Sequence, residues 1–216
     1  MSFEFLAVDA HDAVARSPME REARAAGARF ELRDGWNVAV AYPNERAALE
    51  GSVGFADMSH LGKFEVTGSH DLDLGTAERR GPAWWCPVTR ERALVICEAA
   101  ATADLRERLG GGAVEMTTSY AAFTIAGPLS RELFARFCAI DLRPDHAPPR
   151  AFRPGSVART PGYVLTEDGD RFLMLFGWAL GRYMWETVAD AAAHLGGGPV
   201  GVDALAPLKE EAAIHA

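Results

Sequence analysis

The chain has 216 residues, 49% apolar and 24% charged, the balance of an ordinary soluble globular protein with one large domain or two small ones sharing a core. Thirty acids stand against 22 bases for a net charge of −8, which argues against a generic nucleic-acid or anionic-membrane surface, because phosphate binding needs clustered lysine and arginine. No run approaches about 18 apolar residues, so no membrane span is expected.

Three cysteines, Cys86, Cys97 and Cys138, lie far apart without CxxC spacing. That fits reduced thiols in the cytoplasm rather than a disulfide framework or a zinc site. The N-terminus lacks the basic region and apolar core of a signal peptide. Lysine occurs only at Lys63 and Lys209, with arginine carrying the remaining positive charge, a compositional bias of the source genome.

Residues 1–16 read as an extended arm. Ser17-Pro18-Met19-Glu20 predicts a helix start, with Ser17 as cap and Glu20 completing a capping box, and the helix stops at Gly27. Strands follow at 30–32 and 36–42 around an Asp34-Gly35 turn. Asn44 is placed to cap a short helix over 45–50. Residues 53–68 then run through an apolar-acidic-apolar stretch, a compact Ser59-His60-Leu61-Gly62 turn and a strand with Phe64 and Val66 on one face. A turn of this kind gathers amides, a hydroxyl and an imidazole at the start of a sheet.

Residues 69–92 are the least regular part and include Trp84-Trp85. A strand is expected at 93–97, a helix at 102–109, and strands at 113–117 and 121–126. Gly127-Pro128 breaks the sheet, and Leu129, Leu133 and Phe137 set an amphipathic helix. Residues 141–155 read as a crossover loop. Strands at 157–159 and 171–176 are separated by the turn Thr166-Glu167-Asp168-Gly169. Leu180, Met184, Val188, Ala191 and Leu195 form the buried face of a long helix, and the tail from Pro199 is a short element with a polar end. Strands and helices are mixed without strict alternation, so the expected class is α+β, with antiparallel sheets and flanking helices.

Asp57, Ser59 and His60 share one turn, but no GxSxG frames the serine, so they read as turn-structuring hydrogen bonds instead of a hydrolase triad. The histidines never fall at HxH or HxxxH spacing, which leaves no metal site. The glycine clusters contain no nucleotide-binding motif. Trp178, Tyr183 and Trp185 read as core packing, whereas Trp84-Trp85 suits either covering a flat heterocycle or meeting a partner protein. Glu167 sits where a carboxylate can reach into a pocket, although an ordinary solvated turn acid is the simpler reading from its chemistry alone.

These residues resemble the tetrahydrofolate-binding aminomethyltransferase family, the T-protein of the glycine cleavage system and its relatives, across nearly the whole chain. Ser17-Pro18 with Gly27-Ala28 resembles the family's opening helix, and Gly35-Trp36 with Val40 and Tyr42 its GWxxPVxY strand. Residues 55–63 are similar to the FDVSHMGK signature, Ile125-Ala126-Gly127-Pro128 to the QGP step, and Thr166-Glu167-Asp168-Gly169 to the GEDG turn. Residues 199–212 follow the PIGLGARDxLRxEAG segment. The departures are specific. Between Gly68 and Ala93 the GGxxDDL segment, which carries the family's catalytic aspartate, is missing, and Leu205 and Ala206 stand where the family has arginine and aspartate. The KGCYxGQE motif of the iron–sulfur maintenance branch is absent.

In size, and in the Phe123…Gly127-Pro128…Cys138…Asp141-Leu142 stretch, the chain is similar to the gamma subunit of heterotetrameric sarcosine oxidase. The resemblance implies one folate-binding-like domain over residues 1–216, or two intertwined lobes, without the family's C-terminal barrel domain. It also implies tetrahydrofolate held among Glu167, Tyr42, Met58 and His60, with no catalytic residue assigned. Flavin would reside only on a partner, the large subunit of a flavin-dependent amine oxidase. Two roles follow, an accessory subunit of a tetrahydrofolate-linked N-methyl amine oxidation system or an autonomous tetrahydrofolate-dependent transferase.

Overall fold

The computed structural model describes residues 13–68 and 70–205. The expected arm lies almost wholly outside the described residues, as does the part of the final resembling segment beyond Leu205. In chain order the first elements are β1 (Ala15–Arg16), α1 (Glu20–Ala25), β2 (Arg29–Arg33), β3 (Trp36–Ala41) and α2 (Glu45–Gly51). Next come β4 (Gly54–Asp57), β5 (Gly62–Thr67), β6 (Glu78–Arg80), β7 (Ala83–Thr89) and β8 (Arg92–Cys97). After α3 (Thr102–Leu109) follow β9 (Ala113–Glu115), β10 (Tyr120–Ala126) and α4 (Ser130–Ala135). The chain then forms β11 (Phe152–Val157), β12 (Thr160–Asp168), β13 (Arg171–Gly177), α5 (Gly181–Ala193) and β14 (Gly198–Pro199).

Three sheets result, ordered β1-β3-β2, β11-β12-β13-β10-β4-β14 and β6-β7-β8-β5-β9. All pairings are antiparallel except β1 with β3 and β14 with β4. The class is therefore α+β with antiparallel sheets, as the mixed element order implies.

The six-stranded sheet is buried on both faces, which explains why β10 and β13 read as unbroken apolar runs. Phe123, Ile125, Phe172, Met174 and Phe176 point to the helical side and pack against Leu133, Phe134, Met184, Trp185 and Val188. Ala122, Leu173 and Leu175 point the other way, toward Cys86, Leu94 and Ile96 of the five-stranded sheet. That second sheet covers its far side with α3 through Phe64, Val95 and Leu105. Phe55, Phe123 and Trp185 form the aromatic centre, with Phe55 edge-on to Phe123 at 5.4 Å and to Trp185 at 5.2 Å. Burying each such ring contributes roughly 1.5–3 kcal/mol.

Several local expectations are corrected. Glu20 closes no capping box and shows no solvated face. It is 6% exposed, and its Oε1 accepts from Arg16 (2.9 Å) and Arg24 (2.8 Å). Asn44 makes no side-chain cap; Glu45 instead accepts from the backbone N–H of Tyr42 and of Gly201, both at 2.9 Å. The irregular 69–92 stretch contains the β6–β7 hairpin, and Pro87 is accommodated beside a register shift. The expected crossover loop contributes β11, an edge strand where Pro154 needs no ladder donor. Of the strand expected at 157–159 only Val157 is extended, as the last residue of β11, and Ala158-Arg159 form the turn to β12, at φ 46° and 63°. Two positive φ values match a hairpin turn usually signalled by Asn-Gly, a signal that Ala-Arg lacks.

The 53–68 stretch hands the chain from the six-stranded to the five-stranded sheet. Asp57 ends β4, and its carboxylate accepts the Ser59 N–H at 2.9 Å. The Ser59 hydroxyl accepts the Ala122 N–H at 3.3 Å, and Met58 N–H donates to the Ala122 carbonyl at 2.9 Å. Lys63, fully buried on β5, turns its ammonium back under this bend and donates to the carbonyls of Ser59 (2.9 Å), Leu61 (2.8 Å) and Thr117 (3.4 Å). One side chain therefore ties both sheets to the segment before β10.

Gly127, between β10 and α4, has φ 120°, and a Cβ there would lie 2.6 Å from the Ser52 carbonyl oxygen. Gly127→Ala is expected to cost about 2–4 kcal/mol, from backbone strain plus overpacking, read as a shift in the urea midpoint at unchanged m-value. A second expectation concerns pH. Burial lowers the Lys63 pKa from 10.5 to about 7, against the opposing pull of Asp57. Between these values the unfolded chain holds a proton that the folded chain has released, so stability rises with pH across that window. The stability of wild type relative to Lys63→Met should therefore increase from about pH 7 to about pH 9.5 in urea unfolding. A flat difference would show that the folded protein keeps the lysine charged.

Candidate functional site

Two joined hollows lie where the bend meets the β12–β13 hairpin. The larger, about 250 Å³, is walled by Arg33, Val38, Met58, His60, Glu98 and Asp203, among others. The smaller, about 20 Å³, lies among Met58, Arg79, Trp84, Thr124, Glu167 and Arg171. Met58, Glu98 and Arg171 border both. The structure thus brings Met58, His60 and Glu167 around one composite cleft. Tyr42 lines neither hollow. It is 7% exposed within the helical-side core, and its hydroxyl is buried with no hydrogen-bond partner among the described residues. Burial pushes its phenol well above the ordinary range, helped by the charges of Asp57 and Glu45.

The hairpin's geometry determines Glu167's surroundings. The β12–β13 register shifts between Thr166 and Asp168, so Glu167 has no cross-strand partner in the ladder. Such a bulge re-aims a side chain. Its Oε2 accepts from Arg171 Nε at 2.8 Å, with the two side chains only 15% and 10% exposed. Arg171 Nη1 also donates to the Leu205 carbonyl at 3.1 Å, which joins the pair to the last described residue. Thr166, directly before Glu167, is fully buried with an unpartnered hydroxyl.

Above Glu167 lies β7. Trp84 and Ile96 are cross-strand partners, and both border the narrow hollow. Arg79, opposite Trp84 on β6, holds its guanidinium 5.4 Å from the indole ring. Cys86 lies two residues along β7, on the same face as Trp84. Burial pushes its thiol up, with a further contribution from the Glu167 charge, so this face of β7 looks onto the acid.

A slot of about 20 Å³ has room for roughly one water, whereas pockets for ring-sized ligands run to about 300 Å³ and more. With Glu167 engaged by Arg171 and Trp84 lining the same slot, the residues beside the acid do not fit tetrahydrofolate in this arrangement. The rim of the larger hollow is crossed by a two-point ion pair, Arg33 to Asp203 at 2.5 and 2.9 Å. Both acids of Arg33, Asp203 and Glu31, have pKa values lowered by their arginine bonds.

Trp84 is the residue whose position the sequence left most open, since both a ligand cover and a partner contact suited it. Arg171, Arg33, Asp203 and Glu98 carried no separate signal. Arg171 stands four residues after Glu167, and only the hairpin brings the two together.

Arg171→Met leaves a nearly buried carboxylate without its cation. Allowing for the remaining solvent access, a loss of about 2–3 kcal/mol is expected in urea unfolding. A loss below about 0.5 kcal/mol would rank the pair with exposed surface bridges.

No family model matches the chain. The chain is 27% identical, over 91% of its length, to an aminomethyltransferase of Parafrankia sp. (strain EAN1pec), and 28% identical, again over 91%, to that of Frankia alni. It spans 63% of the length of each. Among solved structures it is similar to the glycine cleavage system aminomethyltransferase T of Bartonella henselae, with TM-score 0.70 and 16% identity, covering 88% of this chain and 60% of that one. It is also similar to a chain of the heterotetrameric sarcosine oxidase of Corynebacterium sp. U-96, with TM-score 0.65 and 14% identity, covering 87% of this chain and 99% of that one. The protein therefore has an aminomethyltransferase-like fold, carried on a chain that spans under two thirds of those aminomethyltransferases.

Proposed function

We propose that this protein is a non-catalytic, accessory member of the aminomethyltransferase-like group, serving a tetrahydrofolate-linked system that oxidises N-methyl amines. The observation that carries the reading is the closed slot, in which Glu167 is neutralised by Arg171 at 2.8 Å in a space of about 20 Å³. The missing GGxxDDL segment agrees with it, because the chain offers no substitute for that acid. The size match to a sarcosine oxidase chain, 99% of which is covered, supports a place in a multisubunit amine oxidase. Flavin chemistry then belongs to the partner. The free Cys86, Cys97 and Cys138 suit a cytoplasmic setting. No helix among the described residues is long and apolar enough to cross a membrane.

A second reading, an autonomous tetrahydrofolate-dependent transferase, is favoured by one feature. The larger hollow places His60 and Met58 next to the Glu167 slot, with about 250 Å³ available. In that reading Met58, His60 and Glu167 contact the folate, and Tyr42, buried in the core, does not.

Calorimetric titration of the isolated chain with tetrahydrofolate separates the two. The accessory reading expects no binding, together with stable co-purification when the chain is co-expressed with a flavin-bearing amine oxidase large subunit. Tight binding that is lost in Glu167→Gln would establish the transferase reading instead.

A further inference from the structure

We propose that Trp84 is a built-in occupant of the Glu167 slot, so that the chain's own indole fills the place where a flat bicyclic heterocycle would otherwise lie. This rests on the accessory reading above, since a working transferase needs that slot open.

The first support is anchoring. The segment leading into the β6–β7 hairpin is laced to the six-stranded sheet beside Glu167. Ala77 N–H donates to the Arg150 carbonyl at 2.7 Å, and Arg150 N–H donates to the Thr166 carbonyl at 2.7 Å. Phe152 N–H donates to the Gly75 carbonyl at 2.9 Å, and Arg153 donates to that carbonyl as well. Thr76 bridges Ala151 in antiparallel fashion. The segment entering the hairpin is thus registered onto residues 150–153, at the start of β11, the strand that pairs with the acid's own, and is not a loop that settles over it at random.

The second support is facing. Strand alternation places Trp84 and Cys86 on one side of β7 and Trp85 on the other. Trp84 packs against the cluster containing Met58, Leu61, Ile96 and Leu173, which also border the slot. Arg79, set over the indole, presses it from the outer side. Trp85 belongs instead to an outer groove with Val66, His70 and Arg80.

The third support is an unmet donor. Trp84 Nε1–H is buried with no partner among the described residues, although buried indole N–H groups are usually satisfied. A residue selected only for packing would be better served there by leucine or phenylalanine. The indole is a flat fused bicycle, as a pterin is, although the pterin fuses two six-membered rings and the indole a six- and a five-membered one.

The test is calorimetric titration of the full chain with 5-formyltetrahydrofolate, using wild type, Trp84→Ala and the double variant Trp84→Ala/Glu167→Gln. Folding of each is checked by circular dichroism. Trp84→Leu runs in parallel, so that a misfolded alanine variant does not decide the outcome. The expected result is no binding by wild type, an affinity gain of at least about tenfold in a folded Trp84 variant, and its loss in the double variant. Folded Trp84 variants that bind no better than wild type would overturn the proposal while leaving the accessory reading standing. Binding that survives Glu167→Gln also overturns it, because the ligand would then lie elsewhere. Binding by wild type itself overturns the accessory reading, and the proposal falls with it.

Discussion

A buried lysine amine under a bend is the constraint on which the architecture depends. The chain must leave the six-stranded sheet after Asp57 and enter the five-stranded sheet at Gly62, within four residues, at the centre of the molecule. Backbone carbonyls exposed by so abrupt a turn would be buried without ladder partners, at a cost comparable to a lost hydrogen bond each. Lys63 supplies the missing donors from below, to Ser59, Leu61 and Thr117. Asp57 and the Ser59 hydroxyl supply the acceptors from above. Asp57 and Ser59 are thereby engaged in holding two sheets together, as the turn-structuring reading of this stretch expects.

This division has a consequence for the cleft. The bend sets Met58 and His60 at fixed positions on one wall, and the β12–β13 bulge sets Glu167 on another. Glu167 meets a guanidinium four residues along its own hairpin, and the slot beside it is lined by an indole from a strand of the second sheet. A nearly buried carboxylate needs a partner, and Arg171 meets that need within the chain. No incoming ligand is required to stabilise it.

Legibility followed the range of the interactions involved. The long helix, the Gly127-Pro128 break and the apolar runs of β10 and β13 were readable because periodicity and turn residues are local. The positive-φ turn at Ala158-Arg159 was missed because neither residue carries the usual chemistry for it. The β6–β7 hairpin was read as irregular because glycines and prolines crowd it. It is held by the ladder of β7 on β8, and the segment leading into it bonds to residues 150–153, more than seventy positions away. The capping roles expected of Glu20 and Asn44 fail for a related reason: Glu20 is buried against Arg16 and Arg24, and Asn44 makes no cap while the neighbouring Glu45 reaches the distant Gly201 N–H.

The sequence by itself determined the class of the fold, the family it resembles and the acid near the tip of the β12–β13 hairpin. These are matters of pattern and of residue identity at a position. Only the tertiary structure decided that Tyr42 belongs to the core, that Arg171 holds Glu167, and that Trp84 lines the same slot as that pair. Those facts depend on how a bulge, an edge strand and a second sheet converge in space, and burial imposes pairing on charges only where that convergence excludes water.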